Sequence, residues 1–333
     1  MRILVMGAGA VGSAIGGFLS QHHEVLLVGR GSHIDAIQTR GLRIEGILGN
    51  SFHKPQACHD FELESREFIK HPLDWVLITV KSTATEDAIR QLVKTLPDPS
   101  LPRYVHIQNG LGNFECIKDV ISRQASGKRP IILSGMTITG YDVVEDGRVA
   151  ITVYGGPGKI GSLADKGPSS ESESAARELV DLLSETPLVF EYTETMLSFL
   201  WAKFLYNCCL NPLGALLKVA YGKLRLEPTL QIMRQILIEA FALARAENVS
   251  LFWSSPDEYF QHLLNTLIPA TAEHEPSMLA DLNRGRKTEI QALNGYLVQR
   301  SKMHGLDAPV NETLVRLIAA SSVPGMNGAR NES

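Results

Sequence analysis

Arg2-Ile3-Leu4-Val5-Met6-Gly7-Ala8-Gly9-Ala10-Val11-Gly12 opens the chain, and the fold is decided in these eleven residues. Arg2 to Met6 reads as a short buried strand. It runs straight into G-x-G-x-x-G and then into the helix-like Ser13 to Leu19. Gly7 suits the tight turn, Gly9 a close approach of pyrophosphate to the backbone, and Gly12 close packing of helix on strand. The helix start offers free N–H groups and the positive end of its dipole to the phosphates. A glycine-rich turn alone is weak evidence, but strand, turn, helix and N-terminal position agree here. Gly7, Ala8, Gly9, Ala10, Val11 and Gly12 are therefore read as a dinucleotide loop.

The second strand, Glu24 to Val28, ends at Gly29-Arg30-Gly31-Ser32. An acid at that end would bind a ribose 2′-hydroxyl, whereas an Arg accommodates a 2′-phosphate. Glu24 stands at the wrong end of the strand. Arg30 offers a forked cation, so the expected cofactor is NADP(H).

Further strands alternate with helices. Asp74 to Val80 ends at Lys81, Tyr104 to Ile107 ends at Gln108-Asn109-Gly110, and Ile131 to Leu133 resumes the sheet; helices are read at Glu86 to Leu96 and Asn113 to Arg123. This alternation predicts an α/β Rossmann domain, doubly wound around a mostly parallel sheet. Gly135 to Ile160 reads as β-rich, with antiparallel strands extending that sheet. Asp165 to Ser174 reads as a solvated loop before a helix at Ala175 to Ser184. Beyond Tyr192 strand patterns cease, and helix patterns cover Glu194 to Cys209, Thr229 to Glu247, Pro256 to Leu267 and Thr288 to His304. The expected organisation is an NADP-binding domain over 1–190, an all-α domain over 191–325 and a frayed tail over 326–333.

Composition narrows the class. A net charge of −4 gives no support for a nucleic-acid or phospholipid surface, and no apolar run approaches membrane-spanning length. Cys58, Cys116, Cys208 and Cys209 lack metal-ligand spacing, and the adjacent pair suits two buried thiols better than a disulfide. With no leader segment before the first strand, the expected compartment is the cytoplasm. No metal and no membrane or nucleic-acid partner are expected; a homodimer is compatible with the sequence.

Ligands of open α/β sheets lie beyond the carboxyl ends of the strands, where Lys81 and Asn109 both fall. Within the apolar run Ser198 to Asn211, Lys203, Asn207 and Asn211 recur every four residues and so share one helix face. Burying an ammonium and two amides without partners costs several kcal/mol, so this stripe belongs at a wet site or a ligand. Glu289 by itself reads as a first-turn acid favoured by the helix dipole; beside a buried Lys it gains chemical interest.

The glycine loop, Val80-Lys81-Ser82, Gln108-Asn109-Gly110, Trp201-Ala202-Lys203-Phe204 with Asn207 and Asn211-Pro212, and Ser277-Met278-Leu279 with Asp281 through Lys287-Thr288-Glu289-Ile290 occur in order. Together they resemble the ketopantoate reductase (2-dehydropantoate 2-reductase) family from Gly7 to about Leu306. The resemblance implies that Lys203 is the general acid in NADPH-dependent reduction of a 2-oxo acid, supported by Glu289. It implies that Asn207, Asn211 and Ser277 hold the substrate, with Lys81 and Asn109 beside cofactor and substrate. The groups come from both halves of the chain, so the reaction is expected where the two domains meet. Two positions depart from the family pattern: Tyr221 stands where a substrate-contacting Asn is usual, and His274 or Glu275 stands where another Asn is usual. Both changes concern the substrate rather than the proton chemistry. A reductase of a different 2-oxo acid and a non-catalytic NADP sensor therefore remain as alternatives, the intact Lys203 and Glu289 weighing against the sensor.

Overall fold

The computed structural model describes residues 1–124, 129–163 and 169–322. The chain divides into two compact units, one of 1–108 and 113–196, the other of 109–112 and the chain from Leu197 onward. The tail expected over 326–333 and part of the loop expected over 165–174 lie outside the described residues.

The first unit is built on an eight-stranded sheet. Its central strands are β1 (Arg2–Met6), β2 (Glu24–Gly29), β6 (Trp75–Ile78) and β7 (Arg103–Ile107), flanked by β5 (Gln56–His59), β8 (Ile132–Met136), β11 (Gly158–Gly161) and β12 (Phe190–Tyr192). The order is β12-β11-β8-β7-β6-β1-β2-β5. All neighbours are parallel except β11 against β8. Alternation along each strand explains why both faces are covered. Ile3, Val5, Leu27, Leu77 and Val105 join one core with α1 (Ala10–Leu19) and α5 (Ser170–Leu183). Leu4, Met6, Val76 and Ile78 join a second core with α3 (Thr85–Thr95) and α4 (Asn113–Ser122). Each such buried aliphatic side chain contributes about 1.5–3 kcal/mol, so the parallel register is strongly specified. Doubly wound topology follows, as the sequence predicts.

Two expectations are corrected in this unit. Of the β-rich stretch 135–160, only β11 extends the main sheet. Strands β9 (Gly140–Glu145) and β10 (Arg148–Val153) join β3 (Leu42–Gly46) and β4 (Ser51–His53) in a second sheet, ordered β4-β3-β10-β9. The reason is one-sided burial: Val149 and Ile151 enter the core with Ile44 and Phe18 while their sequence neighbours stay partly exposed. A strand inside the main sheet would bury both faces. The polar stretch before residue 175 also misleads. Helix α5 already begins at Ser170, with the Ser169 hydroxyl accepting from the Ser172 N–H and Glu171 and Glu173 in the first turn. Those polar residues are helix-start chemistry rather than loop chemistry. Helix α2 (Ser32–Arg40) and strands β3 to β5 fill a stretch whose pattern is too short-ranged to read from sequence.

The sheet also buries an imidazole. His106 lies opposite Ser134, whose hydroxyl is 2.7 Å from Nε2, and burial pushes the imidazole down to about 4. The neutral form is native, so this contribution is complete above the unfolded value near 6.5. Below that, the unfolded chain takes up a proton that the folded chain refuses until about 4. We expect on the order of 3 kcal/mol to be lost as pH falls from 6.5 to 4, with His33 and His53, also lowered by burial, adding to the slope. Thermal unfolding across that range checks this: His106→Gln should flatten the curve, and an unchanged slope would refute the assignment.

The second unit is helical. Helix α6 (Met196–Leu217) runs through its core, surrounded by α7 (Glu227–Ala246), α8 (Pro256–His262), a short α9 (Ile268–Ala270), α10 (Ser277–Asn283), α11 (Tyr296–Met303) and α12 (Pro309–Ser321). Trp201, Phe204, Leu205, Cys208 and Leu210 of α6 pack with Met233, Ile236 and Phe241 of α7 and Leu314 and Ile318 of α12. Helix α6 continues through Pro212, eight residues beyond the end expected from periodicity. The helix expected over 288–304 is broken: Gln291–Gly295 forms a π turn containing Leu293 at φ −105°, ψ −106°, and regular helix starts at Tyr296. Likewise Leu263–Leu267 is a π turn. Such turns accompany functional sites, and no composition rule announces them. Among the described residues no helix is long and apolar enough to cross a membrane.

Candidate active site

The glycine loop follows β1 directly and divides into structural and open positions. The N–H groups of Gly7 and Ala8 donate to Val28 O at 2.9 and 2.8 Å, and Gly9 N–H donates to Gly7 O at 2.8 Å. The Thr79 hydroxyl also donates to Gly7 O, at 2.8 Å. Gly7 has φ +114°, and a Cβ there would lie 2.3 Å from the Val80 nitrogen. A Cβ on Gly12 would lie 2.2 Å from Gly7 O. Gly9 is different. Its backbone is extended and a Cβ would meet nothing within 4 Å, so protein packing does not require glycine there. With the first three amides spent inside the loop, the first-turn N–H groups of Ala10, Val11 and Gly12 are the donors left to an anion. The residues fit a bound dinucleotide: an open cradle at Gly9 between two positions that only glycine can occupy.

Arg30 follows β2, is 78% exposed, and donates through Nε to the Asp60 carboxylate. Asp60, thirty residues away, gives no sequence signal. Lys81 is exposed at the end of β6. Gln108, at the end of β7, donates to Val80 O at 2.7 Å and to the Thr85 hydroxyl at 2.8 Å. Its Oε1 is buried without a partner among the described residues, an acceptor that nothing in the local sequence announces.

The second unit gathers the other predicted residues into two groups. Lys203 of α6 is half-buried among apolar neighbours. Loss of hydration pushes its ammonium down to about 8, against the attraction of the Glu289 carboxylate, which holds the charged form. Asn109, in the segment that packs with this unit, donates through Nδ2 to Glu289 Oε2 at 3.1 Å. Glu289 therefore does more than meet a helix dipole: it faces a lysine and an amide. Gly110 (φ +81°) brings the same segment close to the π turn, where a Cβ would lie 2.5 Å from Ala292 O.

The second group continues one and two turns along α6. Asn211 Nδ2 donates to Asn207 Oδ1 at 3.2 Å, and the Tyr221 and Ser277 hydroxyls donate to Asn211 Oδ1 at 3.2 and 3.4 Å. Asn207 and Asn211 are only 5% and 4% exposed, so these two amides do not face bulk solvent. Asn207 Nδ2 is buried with no partner among the described residues. An unused buried donor costs about 1–3 kcal/mol, which a ligand acceptor would recover. The two departures from the family pattern meet here: Tyr221 packs on His274 with ring centroids 5.4 Å apart, and on Tyr206 at 5.7 Å. Glu275 is exposed.

Two family models match the chain: "Ketopantoate reductase PanE/ApbA" over residues 3–165, and "Ketopantoate reductase PanE/ApbA C terminal" over 195–322. A 2-dehydropantoate 2-reductase of Aquifex aeolicus is 34% identical over 326 residues, covering 97% of each chain. A PanE/ApbA family ketopantoate reductase structure from Ralstonia eutropha superposes with TM-score 0.81 at 27% identity, covering 97% of this chain and 98% of that one. A structure of D-mandelate dehydrogenase with NADH gives TM-score 0.79 at 25% identity, covering 97% and 99%.

Proposed function

The chain belongs to the ketopantoate reductase family, and on that premise we propose that it reduces 2-dehydropantoate to pantoate with NADPH, in the cytoplasm, as a step of pantothenate biosynthesis. The observation that carries the reading is the Lys203 ammonium, desolvated on an apolar helix and balanced by Glu289. Bound NADPH supplies the hydride. As the new C–H bond forms at the 2-carbon of the oxo acid, the carbonyl π pair moves onto oxygen. Lys203 stabilises that oxygen and gives it a proton, then is reprotonated from solvent. Glu289 keeps the ammonium charged, and Asn109 orients Glu289. Asn207 Nδ2, Asn211 and Ser277 hold the oxo acid in register with Lys203. Gly7 to Gly12 carry the cofactor's pyrophosphate, and Lys81 stands on the cofactor side.

For Arg30 the Asp60 contact occupies Nε and leaves the Nη groups for a 2′-phosphate. Arg30→Ala should weaken NADPH about tenfold, or 1.4 kcal/mol, with NADH little changed. Equal losses in titrations with both cofactors would remove Arg30 from this role.

A second reading has its own observation. Tyr221 puts an aromatic ring and hydroxyl on Asn211 beside His274, which alters the substrate side and favours a different 2-oxo acid. NADPH oxidation with a panel of 2-oxo acids separates the readings. Highest kcat/KM for ketopantoate supports the first, and highest for another member of the panel supports the second. Cofactor binding without turnover of any 2-oxo acid would overturn both.

A further inference from the structure

Pro212 lies inside α6, one residue past Asn211. A proline has no N–H, and its ring crowds the carbonyl four residues earlier, so the Cys208 carbonyl loses its helical donor. Cys208 is fully buried, where an orphaned carbonyl would be costly. The missing donor comes from another element: Asn294 Nδ2 donates to Cys208 O at 3.1 Å. Asn294 belongs to the π turn Gln291–Gly295, whose backbone is tied to Glu289. The N–H groups of Ala292 and Leu293 donate to Glu289 O at 2.9 and 3.2 Å.

The direction of the Asn294 amide is fixed by a buried acid. Glu239 of α7 receives the N–H groups of Val310 and Asn311, at 2.9 and 3.0 Å, and Asn311 Nδ2 at 2.6 Å. Its two oxygens accept all three of these donors, so the Asn311 NH2 faces it and Asn311 Oδ1 faces away. That oxygen receives Asn294 Nδ2 at 2.8 Å. Asn294 Oδ1 is left buried and without a partner among the described residues. The position thus sacrifices its acceptor to keep two donors in place.

We propose that Asn294 is a positioning residue that locks the Glu289 segment onto the Lys203 helix by replacing the backbone donor that Pro212 removes, with Asn311 and Glu239 fixing its orientation. The lock joins α6, the π turn, α7 and α12 at one buried point, and it holds Glu289 in the register that lets its carboxylate meet Lys203 and Asn109. The catalytic part of this proposal rests on the reductase reading above, whereas the exchange between Pro212 and Asn294 does not.

The test combines stability and turnover. Asn294→Ala should lower Tm in the wild-type background and lower it much less in a Pro212→Ala background, where the backbone N–H restored by that substitution supplies Cys208 O. This comparison is independent of what the enzyme reduces, and it remains readable if the single variant folds poorly. Equal losses of Tm in both backgrounds would refute the exchange. Where Asn294→Ala folds, kcat should fall roughly 10²-fold, the scale of an ångström-sized misplacement, with the Kd for NADPH unchanged. In a Glu289→Gln background the same substitution should cost less than about threefold, because it acts through Glu289. Losses that multiply in full would leave Asn294 a purely structural residue. Absence of turnover in the wild-type protein would instead refute the reductase reading, while the Tm comparison still decides the lock.

Discussion

Lys203→Met should fold, bind NADPH as the parent does, and lose at least 10²–10⁴-fold in kcat, the range of a general-acid contribution, with further loss for the unstabilised alkoxide. The argument rests on the energetics of one side chain. Lys203 stands half-buried on a helix whose Trp201, Phe204 and Leu205 belong to the apolar core of its unit, and lost hydration has pulled its ammonium down to about 8. A lysine kept only for structure would be better replaced by an apolar residue, since desolvating an ammonium opposes folding. Met fills similar space without charge, and the half-buried Glu289 keeps its hydrogen bond from Asn109, so the variant should fold. A variant with native Tm and normal kcat would end the assignment of Lys203 as proton donor.

Gly9→Val is expected to leave the fold intact and weaken NADPH binding by on the order of 10²-fold, about 2.7 kcal/mol. Gly9 has φ −82°, a conformation open to any residue, and its Cβ would enter empty space. Exchanging glycine for another residue at a helix N-cap costs far less than the stability of a domain. Nothing among the described residues demands glycine at this point, so the expected demand is an approaching ligand. Gly7 and Gly12 cannot make the same test, because a Cβ at either would collide with backbone and unfold the loop. Equilibrium titration of the folded variant decides the matter: wild-type affinity would mean that the pyrophosphate does not pass Gly9.

Much of this is legible in the sequence because period and spacing are local. The strands β1, β2, β6 and β7 carry near-continuous apolar runs, and the stripe of Lys203, Asn207 and Asn211 needs only helical geometry to share a face. What escapes depends on contacts between distant residues. The second sheet pairs β3 with β10, about a hundred residues apart, and half-buried strands of this kind fit either sheet on pattern alone. Asp60 on Arg30, Thr79 on the Gly7 carbonyl, and Asn294 on the Cys208 carbonyl are single hydrogen bonds across the fold. By local rules alone Pro212 belongs at a helix end. It is interior because Asn294 supplies the donor it lacks.

The most direct test is the pH dependence of kcat for NADPH-driven reduction of the best 2-oxo acid. Lys203 must be protonated to act, so reduction should be maximal below about 8 and fall about tenfold per pH unit above it. Oxidation of the hydroxy acid needs the neutral amine and should rise through the same value. A reduction rate that stays flat from well below to well above 8 would contradict a titrating lysine as the proton donor.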